Sequence, residues 1–267
     1  MAAFKDEISA ELAAHLAREL TRAWPAFPRR RFTRGLDDAL APLALMARID
    51  LLTDRLVDAL PDDFDIAAKV LWETLESLIF TGWMTLPCGS YVARAGIDRP
   101  EIGLPLLAGL TPRWSSEGPV RPFLERHPDI TYRHLHRWVL DPDEHVRRLV
   151  TEGTRPRLPW APQLRRLIAD PSPNIELLDH LVDDPSAYVR RSVANHLNDI
   201  SASSTSRSAA SAPAGTPSTS RSTAASSAPS TSTWSTRERR CPAPARQVRS
   251  GASRAGTRGG VPHVEPG

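Results

Sequence analysis

The chain has 267 residues, a formal charge of +3 and a pI near 9.2, a balance that invites nucleic acid as a partner. The excess is unevenly placed: residues 201–267 hold nine Arg and two Glu, so residues 1–200 carry a net −4 and any anion-binding surface there is a local patch. Two cysteines, Cys88 and Cys241, exclude a disulfide framework and a cysteine-based zinc site; the polar start at Lys5-Asp6-Glu7 and the lack of a long apolar run point to a soluble cytoplasmic protein with no signal peptide and no membrane span.

In chain order, Ile8, Leu12, His15, Leu16 and Leu20 recur at spacings of three and four, the pattern of an amphipathic helix, which Trp24-Pro25 ends. Leu36, Leu40, Leu43 and Met46 continue the pattern, and Ile66, Val70, Leu71, Leu75 and Leu78 form a further apolar stripe. Prolines fall mostly between these segments, and no period-two strand exceeds about four residues. Residues 1–200 are therefore expected to form one all-α domain, long enough for a single core. Residues 201–267 contain no Leu, Ile, Phe, Tyr or Met and hold 16 Ser. Such a segment cannot bury enough apolar surface to offset roughly 1–2 kcal/mol of backbone entropy per residue, and it reads as a disordered Ser/Ala/Arg/Pro-rich tail.

An internal repeat says more about the architecture. Asp141-Pro142-Asp143-Glu144-His145-Val146-Arg147-Arg148 is echoed 43 residues later by Asp184-Pro185-Ser186-Ala187-Tyr188-Val189-Arg190-Arg191, within the roughly 40–47 residues of HEAT-type helical hairpins. Asp170-Pro171 marks another helix start. In each, Asp is expected to cap the helix, Pro to suit its first turn and Val to face the core. Hairpins of this kind stack into an α-solenoid with a concave side, which serves equally well as a noncatalytic binding scaffold.

The run Trp114-Ser115-Ser116-Glu117-Gly118-Pro119-Val120-Arg121-Pro122-Phe123-Leu124 resembles the Ser-Glu…Arg-Pro-Phe-Leu segment of AlkC-type 3-methyladenine DNA glycosylases. The run from Val146 through Thr151-Glu152-Gly153-Thr154-Arg155-Pro156-Arg157-Leu158-Pro159-Trp160 is more similar still, as is Tyr188 through Ile200. Phe4-Lys5-Asp6-Glu7 and Ala23-Trp24-Pro25-Ala26-Phe27 resemble the opening of that family. The resemblance implies a HEAT-like fold and a cofactor-free, metal-free, monofunctional enzyme, expected to be a monomer. Its implied partner is double-stranded DNA carrying cationic alkylated bases, 3-methyladenine and 3-methylcytosine. The base is released by hydrolysis of its N-glycosidic bond without full extrusion, unlike most glycosylases.

A base that already carries positive charge leaves without being protonated, so what assists is a fixed carboxylate that stabilises the oxocarbenium-like sugar and orients water. Glu152, in the better-matched string, is expected to take the closer role and Glu117 the supporting one. Trp160, stiffened by two preceding prolines, is a candidate to press on the sugar or attract the cationic base through its ring; a core tryptophan joining two hairpins is the other reading. Arg155 and Arg157 suit phosphates, and Arg147, Arg148, Arg190 and Arg191 repeat as a backbone-tracking groove would require, with Asn195 and His196 beside them. Arg147 also has Asp143 and Glu144 within reach on its own helix. Trp24, Trp72, Trp83 and Trp138 read as core, and Trp114 as either. His127, His134, His136 and His145 match no metal-ligand spacing.

The chain departs from the family pattern twice. Gly118-Pro119 stands where an aromatic and small apolar residues usually follow Ser-Glu, which alters the backbone that aims Glu117. After Ile200 the family-like sequence gives way to a Ser/Thr/Ala/Arg/Pro/Gly stretch that reads as a frameshift or mis-assigned reading frame, with further repeats truncated. Beside the glycosylase, the alternative is therefore a noncatalytic HEAT-like module, or a decayed glycosylase, that binds DNA or protein.

Overall fold

A Ser9 side chain that accepts from the Leu12 N–H (3.1 Å) starts the first long helix, α1 (Ala10–Ala23), and Trp24-Pro25 stops it as the sequence requires. The chain continues through α2 (Arg29–Thr33), α3 (Leu36–Leu40), α4 (Leu45–Val57), α5 (Phe64–Leu75), α6 (Thr85–Ala95), α7 (Pro100–Leu110) and α8 (Val120–Arg126). It closes with α9 (Pro128–Trp138), α10 (Glu144–Gly153), α11 (Arg165–Ala169), α12 (Ser172–Leu181) and α13 (Ala187–Ala210). This computed structural model describes residues 4–210, with side chains through Ala202, and those residues contain no strand. They lie within one unit, Met1–Ala214; the sequence expectation of a disordered tail falls, beyond Ala210, outside the described residues.

The helices stack in two layers. In one, α4 packs on α6, α6 on α8, and α10 on α13; in the other, α5 packs on α7 and α7 on α9. Each hairpin joins the layers, as α6 with α7, α8 with α9 and α10 with α12 do. The fold is thus an all-α HEAT-like helical repeat, whose units bury their apolar faces only against their neighbours. Gly153 is essential to one such approach: a Cβ there would lie 2.5 Å from Val120 of α8, so no larger residue fits between α8 and the end of α10. No described helix is long and apolar enough to cross a membrane.

Several local expectations need correction. The cap of α10 is Asp143, which accepts from the His145 N–H at 2.7 Å, while Pro142 precedes the helix. In the second copy Ser186 plays the same part for the Tyr188 N–H (3.2 Å). Asp141 and Asp184 instead shape the turn before the cap, each accepting from the N–H two residues on (2.9 and 2.8 Å). The stripe from Leu36 to Met46 is broken into two helices, and Met46 is exposed. Ile66 and Leu78 also face water, Leu78 beyond the end of α5. Of the tryptophans read as core, Trp138 is buried and Trp24 and Trp83 are half-buried, but Trp72 is 41 % exposed. The edge of its ring sits so close to Gly109 that a Cβ there would approach it within 2.6 Å.

Candidate active site

On α10, Val146, Leu149 and Val150 turn into the core, which leaves Arg148 and Glu152, one turn apart, to project together towards the neighbouring α13 and the loop before α8. Glu117 comes from that loop. Ser116 is fully buried and its Oγ donates to the Leu107 carbonyl (2.9 Å), while the Ser115 Oγ donates to Glu117 Oε2 (2.5 Å). Gly118-Pro119 is accommodated by a turn in which the Val120 N–H donates to the Ser116 carbonyl (3.0 Å), so α8 starts directly after it.

The arginine joins the two carboxylates. Arg148 Nη1 donates to Glu117 Oε2 at 3.0 Å, and its Nη2 lies 3.6 Å from Glu152 Oε1. Glu152 is buried; its Oε1 also accepts from the Ser192 Oγ of α13 (3.0 Å) and its Oε2 from Arg155 Nη1 (3.0 Å). Arg155 then forks onto Asp199 of α13 at 2.9 and 3.1 Å. The Tyr188 ring lies 4.7 Å from the Arg148 guanidinium and meets His145 edge-on. Burial works against the charge of Arg148, but Glu117 and Glu152 outweigh it and hold the guanidinium above its ordinary range. Arg155 is raised in the same way, burial being overcome by Asp199 and Glu152. Three carboxylates against two guanidiniums leave the chain Glu117–Arg148–Glu152–Arg155–Asp199 with one net negative charge. Its open end, at Glu117, favours a cation and a developing positive charge, while the Arg121 guanidinium lies at the other end, beside Arg155 and Asp199.

The end of α10, where Glu152 sits, is pinned by side chains. His196 donates from Nδ1 to the Thr151 carbonyl (2.9 Å), and its Nε2 accepts from Asn174 Nδ2 (3.3 Å). Asn174 also donates to the Thr154 carbonyl (3.0 Å) and accepts from the Tyr132 hydroxyl (2.8 Å). Burial drives the His196 imidazole down to about 4, the carbonyl of Thr151 and the charge of Asp199 opposing it. Its folded value thus lies below its unfolded one of 6.5, so the stabilisation is complete above the unfolded value and is lost as the pH falls towards 4. Acidification from pH 7 to pH 4.5 is expected to remove on the order of 2–3 kcal/mol through this one group. Urea midpoints at the two pH values, compared with His196→Asn, check this: the variant should lose distinctly less on acidification, and an equal loss would contradict it.

The remaining candidates are scattered more widely. Trp160 is 66 % exposed and, among the described residues, the one non-glycine with a positive φ (62°). An aromatic residue held there costs roughly 1–3 kcal/mol that the surrounding loop must offset. Arg147 forks onto the buried Asp184 (2.7 and 3.0 Å) and donates back to the carbonyls of Asp141 and Pro142. Burial would raise the Asp184 carboxyl, yet its hydrogen bonds from Arg147 and Ser186 carry it below the usual carboxylate range. Arg190 repeats the motif on the carbonyls of Asp184 and Pro185 (2.5 and 3.0 Å). The repeated arginines Arg147 and Arg190 thus bind their own Asp-Pro turns, and Arg148 binds carboxylates. Arg191 is exposed on α13, Asn195 is half-buried there and Arg157 is half-buried in the loop after α10. Of the candidate histidines, His134 is buried against Glu101 (3.0 Å). Among the described residues no cluster of three potential metal ligands occurs.

The fold that holds this network has a parallel among known proteins. The chain superposes on Pseudomonas fluorescens alkylpurine DNA glycosylase AlkC, solved bound to DNA containing an abasic site analog, with a TM-score of 0.70 and 37 % identity over 75 % of this chain and 56 % of that one. The chain belongs to the AlkC family. Uncharacterized protein YhaZ of Bacillus subtilis (strain 168) is likewise 37 % identical over 203 residues, again 75 % of this chain and 56 % of the relative. No protein-family model matches. The chain therefore spans a little over half the length of these AlkC-type relatives.

Within the AlkC fold, Ser192 and Asp199 escape a reading of the sequence, and His196, a candidate for phosphate, holds backbone instead. Ser192, His196 and Asp199 reach Glu152, Thr151 and Arg155 across separations of 40, 45 and 44 residues. Those separations cluster around the 43-residue repeat, so aligning the two copies is the signal that could have found them. Arg121 is a different case, because its partners are all backbone carbonyls.

Proposed function

We propose that this AlkC-family chain is a monofunctional DNA glycosylase, a cytoplasmic monomer that hydrolyses the N-glycosidic bond of 3-methyladenine and 3-methylcytosine in double-stranded DNA without fully extruding the base. The observation that carries the reading is the Arg148 guanidinium between Glu117 and Glu152 in a network of net negative charge. A cationic base departs with the bonding electron pair and becomes neutral, so no acid is required; positive charge moves to the sugar, where a carboxylate stabilises it and takes the proton of the attacking water. Both oxygens of Glu152 are already bonded within a buried setting, whereas Glu117 has about a third of its side chain exposed and receives Ser115 and Arg148 on one oxygen. We therefore assign Glu117 to the sugar and water, and Glu152 to holding Arg148 and Arg155 in place, the reverse of the order the sequence suggests. The exposed Trp160 supports contact with a duplex from outside, and Arg157 and Arg191, with Asn195, are the candidates for phosphate contacts.

The test measures free 3-methyladenine released from methylated duplex DNA by the wild type and by Glu152→Gln. The variant is expected to release base roughly 100-fold more slowly and to bind the duplex with unchanged affinity. Equal rates would remove Glu152 from the site. A wild type that binds duplex DNA but releases nothing would favour the noncatalytic binding module instead.

A further inference from the structure

Arg121 lies in the first turn of α8 with its side chain buried at 3 % exposure, yet no carboxylate is hydrogen-bonded to it among the described residues. Its Nη1 donates to the carbonyls of Gly153 (3.0 Å) and Arg155 (2.7 Å). Its Nε and Nη2 both donate to the carbonyl of Pro162 (3.2 and 2.6 Å). Burial draws the guanidinium down to about 10, with Glu125 acting against it, so it remains charged at neutral pH. A cation withdrawn from water onto neutral acceptors survives only where its donor fork is filled, and here four donations reach three carbonyls.

Those carbonyls bracket Trp160, two before it and one after. Asn174 and the Arg155 side chain fix the start of the segment between them, before Trp160, and Pro156, Pro159 and Pro162 have no N–H to donate further along. Its backbone bonds are Arg155 N–H to Glu152 (3.2 Å), Ala161 N–H to Leu158 (3.3 Å) and Leu164 N–H to Pro156 (3.1 Å). None of these joins the two ends of the segment across Trp160 to the body of the fold. Arg121 does, and the same guanidinium sets the carbonyl of Arg155, whose own side chain holds Glu152 and Asp199.

We propose that Arg121 is a positioning residue, a clamp from α8 that holds the 153–162 segment so that Trp160 keeps its left-handed, outward conformation while Arg155 stays on Glu152. What Trp160 meets there rests on the glycosylase reading; the clamp does not. Lysine retains the charge but, as a single ammonium, cannot span both ends of the segment as the planar fork does.

Two measurements on Arg121→Met decide the matter. Trypsin cannot cut Arg155–Pro156 but can cut Arg157–Leu158, so under limited digestion the variant is expected to be cleaved after Arg157 about tenfold faster or more, with unchanged helical circular dichroism. An unchanged cleavage rate would overturn the clamp. In base release, the variant is expected to lose roughly 100-fold, mainly in kcat, as a misplaced contact group does. The double variant with Trp160→Ala should lose less than the two single losses combined, because the part of the Arg121 effect that runs through Trp160 is already gone; fully additive losses would overturn the link to Trp160. Should the wild type release no base, the glycosylase reading fails and digestion alone judges the clamp. Should Arg121→Met lose its helical signal, Arg121→Lys replaces it in both assays, with the same direction of change expected and a wild-type pattern overturning the proposal.

Discussion

Glu117→Gln should lower base release by roughly 1,000-fold while leaving duplex affinity and the unfolding midpoint close to those of the wild type. The amide keeps the size of the carboxylate and can still accept from Arg148 and the Ser115 hydroxyl, which bond the same oxygen in the wild type. What it lacks is the negative charge, and with it the stabilisation of the oxocarbenium-like sugar and the ability to take a proton from water. The side chain is about a third exposed, so folding depends on it little. Single-turnover release at saturating enzyme isolates the chemical step. A loss below tenfold would move the reacting carboxylate elsewhere.

Arg148→Met should be as damaging to activity, and costly to stability as well. The substitution leaves Glu117 and Glu152 as like charges with no cation between them, and it empties the space beneath the Tyr188 ring. Breaking a partly buried pair by removing one partner costs about 3 kcal/mol, because the other partner stays in place uncompensated. Base release should fall by roughly 1,000-fold as the carboxylates lose their common anchor. Arg148→Lys separates charge from geometry: it restores the cation but not the two-pronged fork, and only part of the activity should return. Denaturation midpoints and single-turnover rates for the three proteins check both halves. Full recovery by lysine would show that geometry is unimportant.

The helical-repeat architecture was legible because it follows from features that repeat: apolar residues at spacings of three and four, and an octet recurring after 43 residues. The sequence places the helix caps of the repeated octet two residues early, since an Asp-Pro pair resembles a capped first turn whereas Asp141 shapes the turn before the cap, Asp143. Glu117, Arg148, Glu152 and Arg155 were all candidates from the sequence, and the fold brings them into one chain of ion pairs. The division of labour proposed for the two carboxylates was not legible, because it rests on which carboxylate oxygen remains open, a property of burial set by α13. Arg147 and Arg190 looked like a groove for phosphates, but a repeated arginine serves a repeated turn equally well, and here it binds that turn. Arg121 left no trace as a site residue: carbonyl acceptors occur at every position and carry no side-chain signature.

A site of net negative charge is expected to select bases that are themselves cationic. Duplex DNA treated with a methylating agent carries both cationic 3-methyladenine and neutral O6-methylguanine, so chromatography of the bases freed by the purified protein tests the claim in one vessel. The expected result is free 3-methyladenine with no O6-methylguanine. Release of both at similar rates, or of neither by protein that retains its helical signal and binds the duplex, would contradict it.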